Sequence, residues 1–189
     1  MRYIYLTCTD GIEDDILTAI AMWLWHSFGF EVRRLQPAGD PQYAFELKRQ
    51  QYNASLILTE MLQQCRQTTQ KLLVVTDKDL FIPMLSFVYG LAQLGGKVAL
   101  VSLARLSQTF YGFPENRPLM MARAVKECLH EVGHTFGLVH CSDRTCPMAL
   151  STNIGQLDSK GDTLCSDCMI TLKEMLDLAN VERLGESQI

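Results

Sequence analysis

One stretch of the sequence organises the rest of the chain: HEVGHTFGLVH, at residues 130–140. Residues four apart lie on one face of a helix, so His130 and His134 can both point at a single metal ion. Glu131 lies beside that face, within reach of a water molecule bound to the metal. The stretch therefore predicts a helix that carries two metal ligands and an acid–base group.

A third ligand is expected just beyond this helix. Gly137 suits the helix end, because glycine readily takes the left-handed conformation, and the chain can then return His140 to the metal. Three protein ligands with one open position are typical of catalytic zinc. The chain has four histidines, and three of them lie in this stretch. We interpret the fourth, His26, as an ordinary polar residue of the first helix.

The chemistry expected of this site is amide hydrolysis. Zinc lowers the pKa of its bound water to about 7 and polarises a carbonyl group. Glu131 is placed to take the proton as general base and to return it to the leaving amine. The motif does not identify the residue that stabilises the oxyanion. Arg105, Tyr111 and Lys126 are candidates, although each is equally consistent with a solvated or packing role.

A second metal site is predicted from four cysteines. They form a C-x4-C pair followed by a C-x2-C pair, at Cys141, Cys146, Cys165 and Cys168. Four thiolates make a closed tetrahedral shell, which favours a structural zinc. An iron–sulfur cluster would accept the same ligands, and disulfides or free thiols are the remaining alternatives. We expect two zinc ions per chain, one catalytic and one structural.

The two predicted sites are joined through one peptide bond, because Cys141 directly follows His140. A structural zinc would therefore fix the loop that presents His140. A loop of this size has little core of its own, so metal binding and local folding are expected to be coupled.

Composition narrows the class of protein. The chain has 189 residues, 48% of them apolar, and a net charge of −4, which fits one globular domain. No run of lysine and arginine favours a nucleic-acid or membrane-surface partner, and no apolar stretch is long enough to span a bilayer. The first residues do not resemble a signal peptide. We expect a cytoplasmic monomer that acts on peptides or proteins.

Strand and helix patterns alternate along the chain. Strands are predicted at 2–7, 30–35, 72–76, 86–89 and 98–103, and helices at 13–28, 53–67, 116–135 and 168–180. Residues 137–165 are expected to be irregular. This order predicts an α/β fold in which helices pack against a mixed sheet.

The motifs together resemble the archaemetzincins, a family of metzincin zinc metalloproteases classed as peptidase family M54. The matching pattern is HExxHxxGxxH, then C-x4-C-x-Met ending at Met148, then C-x2-C. The stretches VVTDKDLF at 74–81 and FVYGLAQLGG at 87–96 are also similar to the family. One departure is the interval 149–164 between Met148 and the second cysteine pair, which is one residue shorter than the family pattern.

The resemblance implies a metzincin-type zincin fold in one catalytic domain over 1–189. Its upper subdomain, about 1–137, would hold a twisted mixed sheet and the active-site helix, and its small zinc-stabilised lower subdomain would span about 138–189. Met148 would form the Met-turn beneath the catalytic zinc. An edge strand above the cleft would align the substrate, with 98–103 or the segment just after it as the candidate.

Two other functions remain open from the sequence. One is a zinc-binding and peptide-binding protein on a peptidase scaffold, with little or no proteolytic activity. The other is a zinc hydrolase acting on a non-peptide amide. The presence of Glu131 argues against the binding protein, because a site without catalysis has no use for a base there.

Overall fold

The chain is described by a computed structural model over residues 3–65 and 69–186. The elements, in chain order, are β1 (Tyr3–Cys8), α1 (Asp14–Phe28), β2 (Glu31–Arg34), β3 (Phe45–Glu46), β4 (Gln51–Asn53), α2 (Ala54–Gln64), β5 (Lys71–Thr76), β6 (Leu80–Phe81), β7 (Gly90–Ala92), β8 (Val98–Ser102), α3 (Arg117–Thr135), α4 (Ile154–Asp158) and α5 (Ser166–Glu186). Short 3₁₀ helices occupy Gln42–Ala44 and Gln108–Tyr111.

The main sheet is mixed. Within the described ranges, five strands form it in the order β2–β1–β5–β8–β7, and only β7 runs antiparallel to its neighbour. The central strands β5 and β8 read KLLVVT and VALVS, the unbroken apolar runs that parallel strands show when both faces are covered. One core cluster joins the sheet to α1 and α3, and another joins its opposite face to α2. The predicted α/β fold with a mixed sheet is confirmed.

The prediction that 98–103 or the segment just after it forms the edge strand was wrong, and the element that follows is the 3₁₀ helix Gln108–Tyr111. Strand β8 covers almost all of 98–103, but it lies between β5 and β7 and every one of its residues is buried. Pairing with β5 and with β7 places it in the sheet interior, and α2 and α3 cover its two faces. The edge strand beside the cavity is β7 instead, and β2 forms the other edge of the sheet. The strand predicted at 86–89 was also misplaced, because Val88 makes only an isolated bridge to Leu80 and pairing with β8 starts at Gly90.

A second, small sheet was not predicted. It has the order β3–β4–β6, and its strands of two or three residues are too short to show a periodic pattern. Two ends of predicted elements, Arg2 and Gln67, lie outside the described residues.

The first two helices begin where local chemistry predicts, although α2 ends at Gln64, before the predicted end at about 67. Asp14 and Asp15 lie in the first turn of α1, where the helix dipole favours acids, and Gly29 ends the helix at φ 69°. The Asn53 side chain caps α2 by accepting a hydrogen bond from the Ser55 backbone N–H at 3.0 Å.

Helix α3 is the long helix predicted at 116–135. Asn116 caps it by accepting a hydrogen bond from the Leu119 N–H at 3.1 Å, and Pro118 lies in the first turn, where its missing N–H costs nothing. The helix packs against α1, β7 and β8, and its last three turns are almost entirely buried. It is the element that carries the predicted metal ligands into the interior.

The region after α3 is more regular than predicted. Helix α4 lies within 137–165, and its Asn153 cap accepts from the Gln156 N–H at 3.0 Å. Helix α5 includes the predicted 168–180 but is longer. Over the part of the chain that is described, no helix is long and apolar enough to cross a membrane.

Candidate catalytic metal site

The last turns of α3 present two imidazole rings to one point. His130 Nδ1 donates to the Pro147 carbonyl at 2.8 Å, and His134 Nδ1 donates to the Leu138 carbonyl at 2.7 Å. A carbonyl oxygen only accepts, so both protons are on Nδ1 and both Nε2 atoms carry a free lone pair. These Nε2 atoms lie 3.0 Å apart. Two lone pairs at that distance repel each other, and a cation between them removes the repulsion.

The helix ends so that the chain turns back toward these rings. Gly137 takes φ 99°, its N–H donates to the His134 carbonyl at 2.9 Å, and the Leu138 N–H donates to the Gly133 carbonyl at 3.1 Å. This pair of bonds is the Schellman motif, which needs the left-handed conformation at the glycine. The sequence prediction for Gly137 is confirmed by this geometry.

The turn brings His140 to the other two histidines. Its ring lies parallel to that of His130, with centroids 5.3 Å apart and an interplanar angle of 21°, and 5.0 Å from the ring of His134. One ligand nitrogen from each ring lies within 4.8 Å of the others, so the set can hold a metal ion.

Desolvation favours the neutral form of the three rings, of which His130 is buried, His134 half-buried and His140 exposed. Desolvation lowers the pKa of His130 to about 3 and lowers those of His134 and His140 as well. Neutral imidazole is the form that binds metal. The donor set, the tautomers and the charge state therefore all fit zinc.

Two glutamates lie on α3 beside the histidines. Glu131 and Glu127, one helical turn apart, are each 5% exposed and line the same cavity. Burial raises the pKa of both carboxyl groups, to about 7 for Glu127. Lys160, 4% exposed, lies in the wall of this cavity and electrostatically favours the ionised form of both. Sequence reasoning missed Glu127 and Lys160. The i, i+4 spacing of Glu127 from Glu131 was a usable signal, whereas Lys160 gave none.

Close packing of Gly90 against Glu131 is a further feature that the sequence did not predict. A Cβ atom on Gly90 would lie 2.6 Å from Glu131 Cγ and 2.7 Å from Oε1. The edge strand thus touches the acid–base candidate through a position that only glycine fills without displacement.

The site opens into a cavity of about 680 Å³ between β7 and the loops after α3. Four aliphatic side chains that line the cavity are more than half exposed: Leu85, Leu94, Val139 and Leu150. A cavity of this size and mostly apolar lining is typical of ligand sites.

None of the three predicted oxyanion candidates lines this cavity. Arg105 makes a two-point ion pair with Asp79 at 2.6 and 2.9 Å, and the Tyr111 hydroxyl donates to the Arg105 carbonyl. Lys126 donates to the Asp158 carbonyl at 3.0 Å. Each side chain is occupied in packing elsewhere, which corrects the expectation.

The four cysteines form a second cluster. Sγ of Cys141 lies 3.7 Å from that of Cys165, and Sγ of Cys146 lies 3.8 Å from that of Cys168. Sulfur atoms about 2.3 Å from a tetrahedral metal are about 3.8 Å apart. A disulfide needs about 2.05 Å, so the thiols are unpaired and the spacing fits a closed metal site.

Met148 lies directly under the histidine-bearing helix and is fully buried. A Cβ atom on Gly133 would lie 2.5 Å from Met148 Sδ, so the absence of a side chain there lets the sulfur approach the helix. The Cys141 N–H donates to the Met148 carbonyl at 3.0 Å, closing the loop between the two metal sites.

A helix with two histidines one turn apart, a glutamate beside them and a third histidine returning after a glycine turn defines the class: a zinc-dependent metallopeptidase. The sequence model of Peptidase family M54 matches residues 39–174. The chain belongs to this family, the archaemetzincins, as its sequence motifs indicated.

Individual relatives agree with this assignment. The archaemetzincin of Methanocaldococcus jannaschii is 38% identical over 164 residues, covering 85% of this chain and 89% of the relative. The crystal structure of Methanopyrus kandleri archaemetzincin superposes with a TM-score of 0.82 at 32% identity, over 93% and 96% of the two chains. A zinc-dependent peptidase from Methanocorpusculum labreanum superposes with a TM-score of 0.81 at 30% identity, over 89% and 99%.

Proposed function

We propose that this chain is a peptidase whose catalytic zinc is held by His130, His134 and His140, with Glu131 as general base. The observation that carries the proposal is the pair of unprotonated Nε2 atoms 3.0 Å apart at the floor of an open cavity. Ligand nitrogens about 2.0–2.1 Å from a tetrahedral zinc are about 3.3 Å apart, close to this separation.

The chain's own residues divide the chemical work. Zinc in this site would supply an activated water and polarise the scissile carbonyl. Glu131, buried on the adjacent face of α3, accepts the proton of the attacking water and delivers it to the leaving amine. The Nδ1 bonds to Pro147 and Leu138 hold the two helix histidines in the ligating tautomer.

We propose a second zinc, with a structural role, at Cys141, Cys146, Cys165 and Cys168. The sulfur separations of 3.7 and 3.8 Å support a tetrahedral thiolate shell. The shell has no open position for substrate, so its role is to fix the loop that carries His140.

The substrate is proposed to be a peptide that lies along β7, the edge strand of the main sheet that borders the cavity. Backbone groups at a sheet edge pair with an extended chain, and Leu91 of this strand lines the cavity beside the histidines. A peptide added along β7 would run past the three histidines, because Gly90, Leu91 and Ala92 line the same cavity.

We further propose upper and lower subdomains of about 1–137 and 138–189, divided by the turn at Gly137. The seven free thiols support a reducing, cytoplasmic location. A monomer is the proposed state, and sedimentation equilibrium tests it.

A peptide-library digest tests the function. The zinc-loaded wild type is expected to cleave, while Glu131→Gln retains zinc and loses about 10²- to 10⁴-fold in turnover. Glu127→Gln, the same change at an equally buried position one turn earlier, serves as the matched comparison and is expected to lose less.

The other outcomes decide against the proposal. Equal cleavage by wild type and Glu131→Gln means a contaminating protease. Zinc at the histidine site without cleavage in any variant means a peptide-binding protein on this scaffold. Release of amine only from non-peptide amides means a different hydrolase.

A further inference from the structure

Lys160 is a buried lysine in the cavity wall for which the proposed hydrolysis has no step. Lysine is almost never fully buried unless it is paired, and this side chain is 4% exposed. Its Nζ donates to the Pro147 carbonyl at 3.0 Å. The free-energy cost of burying an ammonium group has to be offset by the groups that it contacts.

The Pro147 carbonyl also accepts the proton of His130 Nδ1, at 2.8 Å. Two donors, one from α3 and one from the segment after α4, therefore converge on one oxygen atom. The partner of the non-ligating nitrogen fixes the tautomer and the direction of a metal-binding histidine. Lys160 therefore fixes the Pro147 carbonyl oxygen that orients the His130 ring.

The segment that carries Lys160 is itself anchored to α3. Asp158, the last residue of α4, makes a two-point ion pair with Arg123 at 2.6 and 2.7 Å. Lys126, one turn further along α3, donates to the Asp158 carbonyl at 3.0 Å. The Lys160 N–H donates to the Leu157 carbonyl at 3.2 Å. These bonds fix the backbone at Lys160 relative to α3.

The residue that follows is anchored on the other side. The Gly161 N–H donates to the Thr145 carbonyl at 2.6 Å, next to the predicted ligand Cys146. Both flanks of Lys160 are fixed, so its side chain reaches Pro147 from a rigid base.

Charge gives a second reason for a cation at this place. Glu127 and Glu131 are both 5% exposed on the same cavity, and Lys160 interacts electrostatically with both. Buried carboxylates require a nearby opposite charge. Arg123 is already paired with Asp158, and Lys126 with backbone carbonyls, which leaves Lys160 for this pair.

We propose that Lys160 is a positioning residue of the catalytic metal site, which orients His130 through the shared Pro147 carbonyl and supplies the charge that balances Glu127 and Glu131. The inference rests on the proposed function, since it requires zinc at the three histidines. Lys160 lies outside the HExxHxxGxxH motif that supplies the proposed ligands and base.

Metal affinity tests the inference apart from activity. Lys160→Met keeps the unbranched apolar stem and removes the ammonium. Each site is followed after cobalt substitution, the cysteine site by its thiolate absorption and the histidine site by its weaker visible bands. Zinc affinity is measured by chelator competition. We expect a loss of about 10- to 100-fold at the histidine site, with partial recovery in Lys160→Arg, and a smaller change at the cysteine site, since Lys160 also interacts electrostatically with Cys146.

Lys126→Met is the matched control, because Lys126 also bonds the α4 segment but does not reach Pro147. Wild-type affinity at the histidine site of Lys160→Met overturns the inference. An equal loss in Lys126→Met also overturns it, because looser docking of α4 would then explain both. If Lys160→Met does not fold, Lys160→Gln removes the charge and, being one atom shorter, withdraws the donor from the Pro147 carbonyl, and it is judged by the same readout. A wild type without zinc at the histidines would refute the proposed function instead.

Discussion

Gly90→Ala is expected to disable the catalytic base without touching a metal ligand. The added Cβ would lie 2.6 Å from Glu131 Cγ, whereas carbon atoms need about 3.5 Å, so the Glu131 side chain has to move by about 0.9 Å. Misplacing a reacting group by about 1 Å costs on the order of 10²-fold in rate. We therefore expect turnover to fall about 100-fold while both metal sites stay loaded.

The assay is steady-state cleavage of a fluorogenic peptide together with metal content and thermal unfolding. Gly155→Ala is the matched control, because its Cβ would meet nothing closer than Asn153 Oδ1 at 3.4 Å, and it should retain wild-type turnover. In a Glu131→Gln background, Gly90→Ala should add little, since the group it displaces is already inactive. Wild-type turnover in a folded, zinc-loaded Gly90→Ala protein would refute this reasoning.

Two further predictions concern the metal-binding loop and the end of α3. Cys165→Ser should weaken zinc at the histidine site as well as at the cysteine site, and metal counting that finds only one zinc lost would contradict this coupling. Burial lowers the pKa of Lys71, whose Nζ bonds the Thr135 carbonyl at the end of α3, from 10.5 to about 8. The unfolded chain therefore binds more protons between pH 8 and 10.5, and the free energy of unfolding should rise with pH there relative to Lys71→Met, by at most about 1.4 kcal/mol per pH unit. Equal pH profiles of the two proteins in urea denaturation would show that Lys71 does not titrate this way.

Local chemistry made the catalytic helix predictable. Gly137 at the helix end is a signal that acts within a few residues, and the structure uses it together with the Asn116 cap and Pro118 in the first turn. The central strands were predictable from their unbroken apolar runs, which are typical of strands covered on both faces of a sheet.

The parts of the site that escaped prediction depend on contacts between distant residues. Gly90 matters only because β7 lies against Glu131, and Lys160 matters only because α4 is anchored to α3 and aims it at Pro147. A buried lysine and an exposed one look the same in a sequence. The predicted edge strand failed in the same way, since which neighbour flanks Val98–Ser102 is decided by tertiary pairing.

The loop from His140 to Met148 connects the two proposed metal sites to each other. It contributes His140 to the first site, Cys141 and Cys146 to the second, and the Pro147 carbonyl that orients His130. Its ends are held together by the bond from the Cys141 N–H to the Met148 carbonyl. Apart from a few buried side chains the loop has little apolar surface of its own, so its conformation depends on these fixed points. Any perturbation that releases one of them, whether a thiolate or the lysine that holds Pro147, is expected to reach the histidines through the same few peptide units.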